Sequence, residues 1–209
     1  MHIGIDFDNT IAGYDSLIRL IAVENGWIEN TLPGGKRNLR DTIRHLPDGE
    51  GKWMALQAEI YGPRMGEAVL IDGVGKFLQE CRDKSEKVSI ISHKSKYAAA
   101  APGGVDLREA ALAWMEGHQF FPDSGFGLAR ENVHFADTRG EKCQRIAALG
   151  CDLFIDDLHE VFADIDFPVS VEKILFETEP GMAVGPEIQI CTSWSEIRAR
   201  VFGEDRGSG

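Results

Sequence analysis

The sequence predicts an α/β fold, a doubly wound and mainly parallel sheet with a small all-helical insertion. Short apolar runs recur along the chain, and helical patterns separate several of them. The stretch from about Gly13 to Ile71 differs from the rest, showing helical stripes and no convincing strand. The expected division is therefore a core of residues 1–12 and 72–209, with residues 13–71 inserted after the first strand.

Six runs read as buried strands: Ile3 to Phe7, Val88 to Ile91, Val133 to Phe135, Leu153 to Ile155, Ile174 to Phe176 and Ile188 to Ile190. Asp72 is placed to cap a helix whose buried stripe is Val74, Phe77, Leu78 and Cys81, at i, i+3, i+4 and i+7. Asp106 with Glu109 starts another helix, and Thr138 with Glu141 reads as a capping box whose helix stops near Gly150. Ser193 with Glu196 opens the last one, carrying Trp194, Ile197 and Val201. In the insertion the stripes are Leu17, Ile18 and Ile21, then Leu39, Ile43 and Leu46, then Trp53, Leu56 and Ile60. The Gly-rich tail from Gly203 to Gly209 is expected to fray.

Apolar residues make up 43 % of the 209 positions, enough for a sizeable core without disulfides. The formal charge of −12 argues against nucleic acid polymers and anionic membranes as partners, since both select a basic face. Cys81, Cys143, Cys151 and Cys191 are widely spaced and form no CxxC pair, so buried free thiols in a reducing compartment are expected. The first strand follows Met1 almost at once and no run is long enough to span a bilayer, so the expected location is cytoplasmic. The oligomeric state is not written in the sequence.

Polar signals cluster where strands end. Asp6-Phe7-Asp8-Asn9-Thr10 follows the first strand, and a strand's carboxyl end in an open α/β sheet is where ligands bind. Two carboxylates held this close repel unless a cation or a shared proton relieves them. Ser92 ends the second apolar run, Lys142 lies in the first turns of the helix begun by Thr138, and Asp156-Asp157 leaves the fourth run. Lys94 and Lys96 lie nearer to Ser92 and rival Lys142 for an anion-facing role, and Asp156/Asp157 could equally be a helix N-cap pair.

This ordered set resembles the haloacid dehalogenase-like superfamily of hydrolases, in its phosphatase form with a helical first-type cap. The resemblance covers roughly residues 1–12 and 72–195, with the helical insertion where that superfamily places such a cap. It implies that Asp6 is the nucleophile and that Asp8 protonates the leaving oxygen and later deprotonates the attacking water. It further implies Mg²⁺ held by Asp6, the main-chain carbonyl of Asp8 and the Asp156/Asp157 pair, with Asp157 favoured as the direct ligand. Ser92 and Lys142 would hold the phosphoryl oxygens, Lys142 would offset charge on Asp6, and Thr10 would fix the loop. Family dehalogenases lack an aspartate at the place of Asp8, so the implied activity is hydrolysis of a small phosphorylated metabolite: a sugar, polyol or nucleoside monophosphate. A phosphomutase or phosphotransferase is the enzymatic alternative, and a non-catalytic regulatory relative is the third, weakened by four intact motifs.

His93 and His159 read as neighbouring or surface histidines, with His93 a candidate substrate contact. Lys36, Arg40 and Arg44, at i, i+4 and i+8 with Arg37 adjacent, form a basic stripe in the insertion. Two readings stand: the solvated face of an amphipathic helix, or recognition of an anionic group on the substrate. Trp27, Trp53 and Tyr61 read as the insertion's own core rather than a stacking platform.

Overall fold

The computed structural model describes residues 1–32, 35–178 and 184–203, with the backbone alone for residue 36. Most of the expected tail therefore lies outside the described residues. In chain order the elements are β1 (His2–Ile5), β2 (Ala12–Gly13), α1 (Asp15–Glu24), α2 (Lys36–Arg44), α3 (Gly49–Tyr61), β3 (Val69–Leu70), α4 (Val74–Asp83) and β4 (Lys87–His93). They continue as α5 (Leu107–Gly117), β5 (Val133–Ala136), α6 (Arg139–Leu149), β6 (Leu153–Asp156), α7 (His159–Phe162), β7 (Glu172–Phe176), β8 (Ile188–Cys191) and α8 (Trp194–Phe202).

The six expected strands form one sheet in the order β5-β4-β1-β6-β7-β8, with every neighbouring pair parallel. Buried on both faces, such strands lose the alternation of a half-exposed sheet, and all four residues of β1 are buried. Gly4 is required there, because an added Cβ would come within 2.5 Å of the Phe154 ring on β6. The chain runs outward from β1 to β4 and β5, then returns to β6 on the other side. That reversal makes the carboxyl ends of β1, β4 and β6 a topological switch point, the position where open α/β sheets bind ligands.

Between β2 and β3 lie the three helices α1, α2 and α3, which pack on one another and bury Leu17, Ile18, Ile21, Leu39, Ile43, Trp53, Leu56 and Ile60. The expectation of no strand in this stretch is corrected: Ala12 pairs with Leu70 and Gly13 with Val69 in an antiparallel ribbon at its base. Two-residue strands are too short to show a period in sequence.

Three helix starts carry the expected caps. Asp106 accepts bonds from the amides of Arg108 and Glu109, Thr138 from that of Glu141, and Ser193 from that of Glu196. Gly150 closes α6 in the left-handed region at φ 65°. Asp72 does not cap α4. The N-cap is Gly73 at φ 88°, where a Cβ would meet that of Trp194 at 2.7 Å, so a left-handed turn against α8 displaces the expected side-chain cap. All four cysteines are free and buried. No helix among the described residues is long and apolar enough to cross a membrane.

Candidate active site

β1 delivers Asp6 directly. The Asp6 amide extends the ladder by bonding the Ile155 carbonyl at 2.9 Å, and the amides of Ile11 and Ala12 both return to the Phe7 carbonyl. Asn9, at φ 62°, turns the loop so that Asp6, Asp8 and Thr10 stay close. The Thr10 hydroxyl lies 3.5 Å from Asp6 Oδ2, and the Trp194 indole bonds the Thr10 carbonyl at 2.9 Å, which ties the loop to α8.

Lys142 projects from the first turns of α6 and is 1 % exposed. Its Nζ donates to Asp6 Oδ1 and to Asp156 Oδ2, both at 2.6 Å. Asp156 is fully enclosed, and its other oxygen accepts the Leu158 amide at 3.0 Å. Asp157 is only partly buried and lines an adjoining cleft. Carboxylate oxygens of Asp6, Asp156 and Asp157 lie within 4.8 Å of one another, the one such group of metal-ligating side chains among the described residues.

Burial pushes the Asp6 carboxyl well above the ordinary carboxylate range; Lys142 opposes this, while Asp156, Asp157 and Asp8 add to it. Burial pulls Lys142 the other way, but Asp156 and Asp6 outweigh it and hold the ammonium charged. One buried ammonium is thus shared by two carboxylates, with a third beside them. An all-oxygen donor set of this kind fits a hard divalent cation.

On the other side of the loop, Asp8 meets a second buried lysine. Lys94 Nζ lies 3.0 Å from each Asp8 oxygen. The Tyr14 hydroxyl donates to Asp8 Oδ1 at 2.6 Å, and the Ser92 hydroxyl lies 3.5 Å from Oδ2. The Lys94 ammonium sits 4.4 Å from the centre of the Tyr61 ring, which packs edge-on against Tyr14. Burial, followed by the nearby Asp8 charge, raises both phenols, so each stays a proton donor.

Asp6, Asp8, Thr10, Ser92, Lys142, Asp156 and Asp157 are therefore brought together. His93 is not: it is exposed, and its ring bonds the Asp137 carbonyl at 3.1 Å. The basic stripe divides. Arg37 and Arg40 line the cleft beside Asp157, whereas Arg44 pairs with Glu50 at 2.9 Å and lies over Trp53. Arg37 bonds Glu177 across the cleft at 2.8 Å, and Arg40 pairs with its neighbour Asp41. The side chain of Lys36 lies outside the described residues. The cleft encloses about 720 Å³ and is walled by α2 on one side and, on the other, by Phe176 at the end of β7 with Glu177 and Thr178 beyond it.

Sequence reasoning gave Lys94 no role beyond rivalry with Lys142 and assigned Tyr61 only to the insertion's core. One signal pointed to Lys94: Ser92 and Lys94 are two residues apart, so a strand continued past Ser92 places both on one side. For Tyr14 there was none.

No family model and no curated protein sequence matches the chain. Solved structures do. A haloacid dehalogenase-like family hydrolase from Xanthomonas campestris is 11 % identical, with 96 % of this chain and 94 % of that one covered at a TM-score of 0.53. A phosphoserine phosphohydrolase-like protein from Francisella tularensis is 13 % identical over 96 % and 99 %, with a TM-score of 0.51. A dehalogenase is 10 % identical over 98 % and 97 %, with a TM-score of 0.53. At these identities the likeness is one of fold: the chain has the Rossmann-like architecture of haloacid dehalogenase-like hydrolases.

Proposed function

We propose that the protein is a Mg²⁺-dependent phosphomonoesterase acting on a small phosphorylated metabolite through a phosphorylated Asp6. The observation that carries this reading is the pair Asp6 and Asp8 at the switch point, with Lys142 bridging Asp6 to Asp156 beside Asp157. The presence of Asp8, at a place where the family's dehalogenases lack an aspartate, supports this reading over the dehalogenase one that the fold alone leaves open.

In this scheme Lys142 holds Asp6 Oδ1, and the carboxylate attacks phosphorus. Asp8 begins this scheme's cycle as the neutral acid, and the ester P–O bond breaks as it passes that proton to the departing alkoxide. A water then attacks the acyl phosphate, Asp8 takes its proton, and Asp6 is regenerated with release of inorganic phosphate. Ser92 lies where it can donate to a phosphoryl oxygen. Mg²⁺, held by Asp6, Asp157 and the main-chain carbonyl of Asp8 with Asp156 supporting from behind, would neutralise charge on both nucleophile and phosphoryl group. Residues 13–71 act as a cap on the core of 1–12 and 72–209, excluding bulk water and macromolecular substrates. The cleft beside Asp157 is of a size for a sugar, polyol or nucleoside moiety. Neither nucleic acid polymer nor membrane is a partner in this reading.

Phosphate release across sugar, polyol and nucleoside monophosphates, with and without Mg²⁺, tests the proposal. Asp6→Asn should abolish turnover while circular dichroism stays unchanged. A variant retaining near-normal rates would overturn the nucleophile assignment, and isomer formation without phosphate release would point to a mutase.

A further inference from the structure

We propose that Glu177 of the core is a specificity-determining positioning residue: by holding Arg37 of the insertion across the cleft, it fixes α2 over the substrate's leaving group and turns Arg40 towards it. The specificity role rests on the phosphomonoesterase reading; the tie itself does not. Asp156 of β6 is in register with Leu175 of β7, so Glu177 leaves the neighbouring strand at the same end of the sheet as Asp157. The Glu177 amide bonds the Cys191 carbonyl at 3.0 Å, and the residue is 8 % exposed. A carboxylate this enclosed is costly unless a cation meets it, and Arg37 Nη2 does so at 2.8 Å. The partners are 140 positions apart, one in the core and one in the insertion, and both line the cleft between them.

The insertion is also held at its base, by the β2–β3 ribbon and by the bond from the Trp114 indole to the Ala68 carbonyl at 2.9 Å. Those attachments lie at the ends of the inserted segment, whereas α2 is its middle helix. A bond from α2 to the sheet margin fixes a distance that the end attachments leave free. It also fixes a rotation. Leu39 and Ile43 are buried within the insertion, while Arg37 and Arg40, at i and i+3, are neighbours on the face that lines the cleft. Tying Arg37 to the core therefore presents Arg40 at a set distance from Asp157, and leaving groups long enough to span that distance are the ones selected.

The test follows Glu177→Gln, Arg37→Gln and Arg37→Lys in the full-length protein. The probes are the panel ester that the parent hydrolyses fastest and inorganic phosphate as a competitive inhibitor. Glu177→Gln should raise the ester's KM by about 5- to 20-fold, the effect of a lost charge-assisted bond, and shift the phosphate Ki by less than about 2-fold. Phosphate fills only the Asp6 end and does not sense the tie. Amide exchange over α2 should quicken by about 10-fold or more. Arg37→Gln should give the same pattern, which covers the case that Glu177→Gln does not fold, and Arg37→Lys should recover part of each loss. Arg40→Ala should raise KM in the parent but by less than about 2-fold in Glu177→Gln, because there the arginine is already misplaced. KM and Ki rising together, or an Arg40→Ala effect equal in both backgrounds, would overturn the specificity role. A parent inert towards the whole panel would overturn the phosphatase reading, and unchanged α2 exchange in the variants would overturn the tie on its own.

Discussion

On the Asp6 side of the site the lysine and the second buried carboxylate come from the sheet and the helix beside it, whereas the Asp8 side is shared with the helical insert. Asp6 directly follows β1, Lys142 and Asp156 belong to α6 and β6, and the packing of those elements brings the three together. Asp8 is met by Lys94 from beyond β4, but also by Tyr14, and Tyr61 at the end of α3 backs the lysine. The first arrangement is fixed when the parallel sheet forms. The second is complete only when the insert is docked. In the proposed scheme the nucleophile would thus be held by the core alone, and the acid/base group by core and insert together.

The largest expected effect falls on the Asp6 side. Lys142→Met leaves Asp6 and Asp156 buried without their shared cation, and should cost about 3–5 kcal/mol of unfolding free energy as well as activity. Urea denaturation followed by tryptophan fluorescence measures it. A loss below about 1 kcal/mol would show that the cluster is not the rigid half of the site.

Cation binding gives the next effect. With Mg²⁺ at about 100 times its Kd, the parent should gain about 2.7 kcal/mol, read as a rise in Tm. Asp157→Asn should remove most of that rise, because Asp157 is the partly exposed member of the cluster. An unchanged Mg²⁺ response in the variant would place the cation elsewhere.

The smallest effect separates two arginines of the insert. Arg40 lines the cleft and Arg44 is turned to Glu50 and Trp53. Arg40→Ala should raise KM for the natural ester about fivefold, the equivalent of roughly 1 kcal/mol for an exposed charged contact. Arg44→Ala should leave KM within about twofold and cost at most about 1 kcal/mol of stability. Equal responses would mean that α2 does not present one face to substrate.

All six sheet strands were legible because a buried parallel strand is a short continuous apolar run, and such runs are local. The caps at Asp106, Thr138 and Ser193 were legible for the same reason, since a side chain reaches an amide only two or three residues on. Gly73 replaced Asp72 because the turn there is dictated by Trp194, more than a hundred positions away. The basic stripe on α2 was correctly spaced, but which arginine faces the cleft depends on how the helix sits against β7, and helical spacing carries no such information.

The sequence by itself determined the α/β class, the place of the helical insert, and the carboxylates that gather at one end of the sheet. These follow from the periods of helix and strand and from the rule that parallel strands present their carboxyl ends to ligands. The pairing of Lys142 with Asp6 was expected only through the family resemblance, and tertiary structure alone brought Lys94 to Asp8. Lys142 lies 136 positions from Asp6 and Lys94 lies 86 from Asp8, and only the strand order β4-β1-β6 with the docking of α6 and the insert selects those pairs. An ion pair is a statement about distance in space, and buried ones persist only where the surrounding packing fixes both partners.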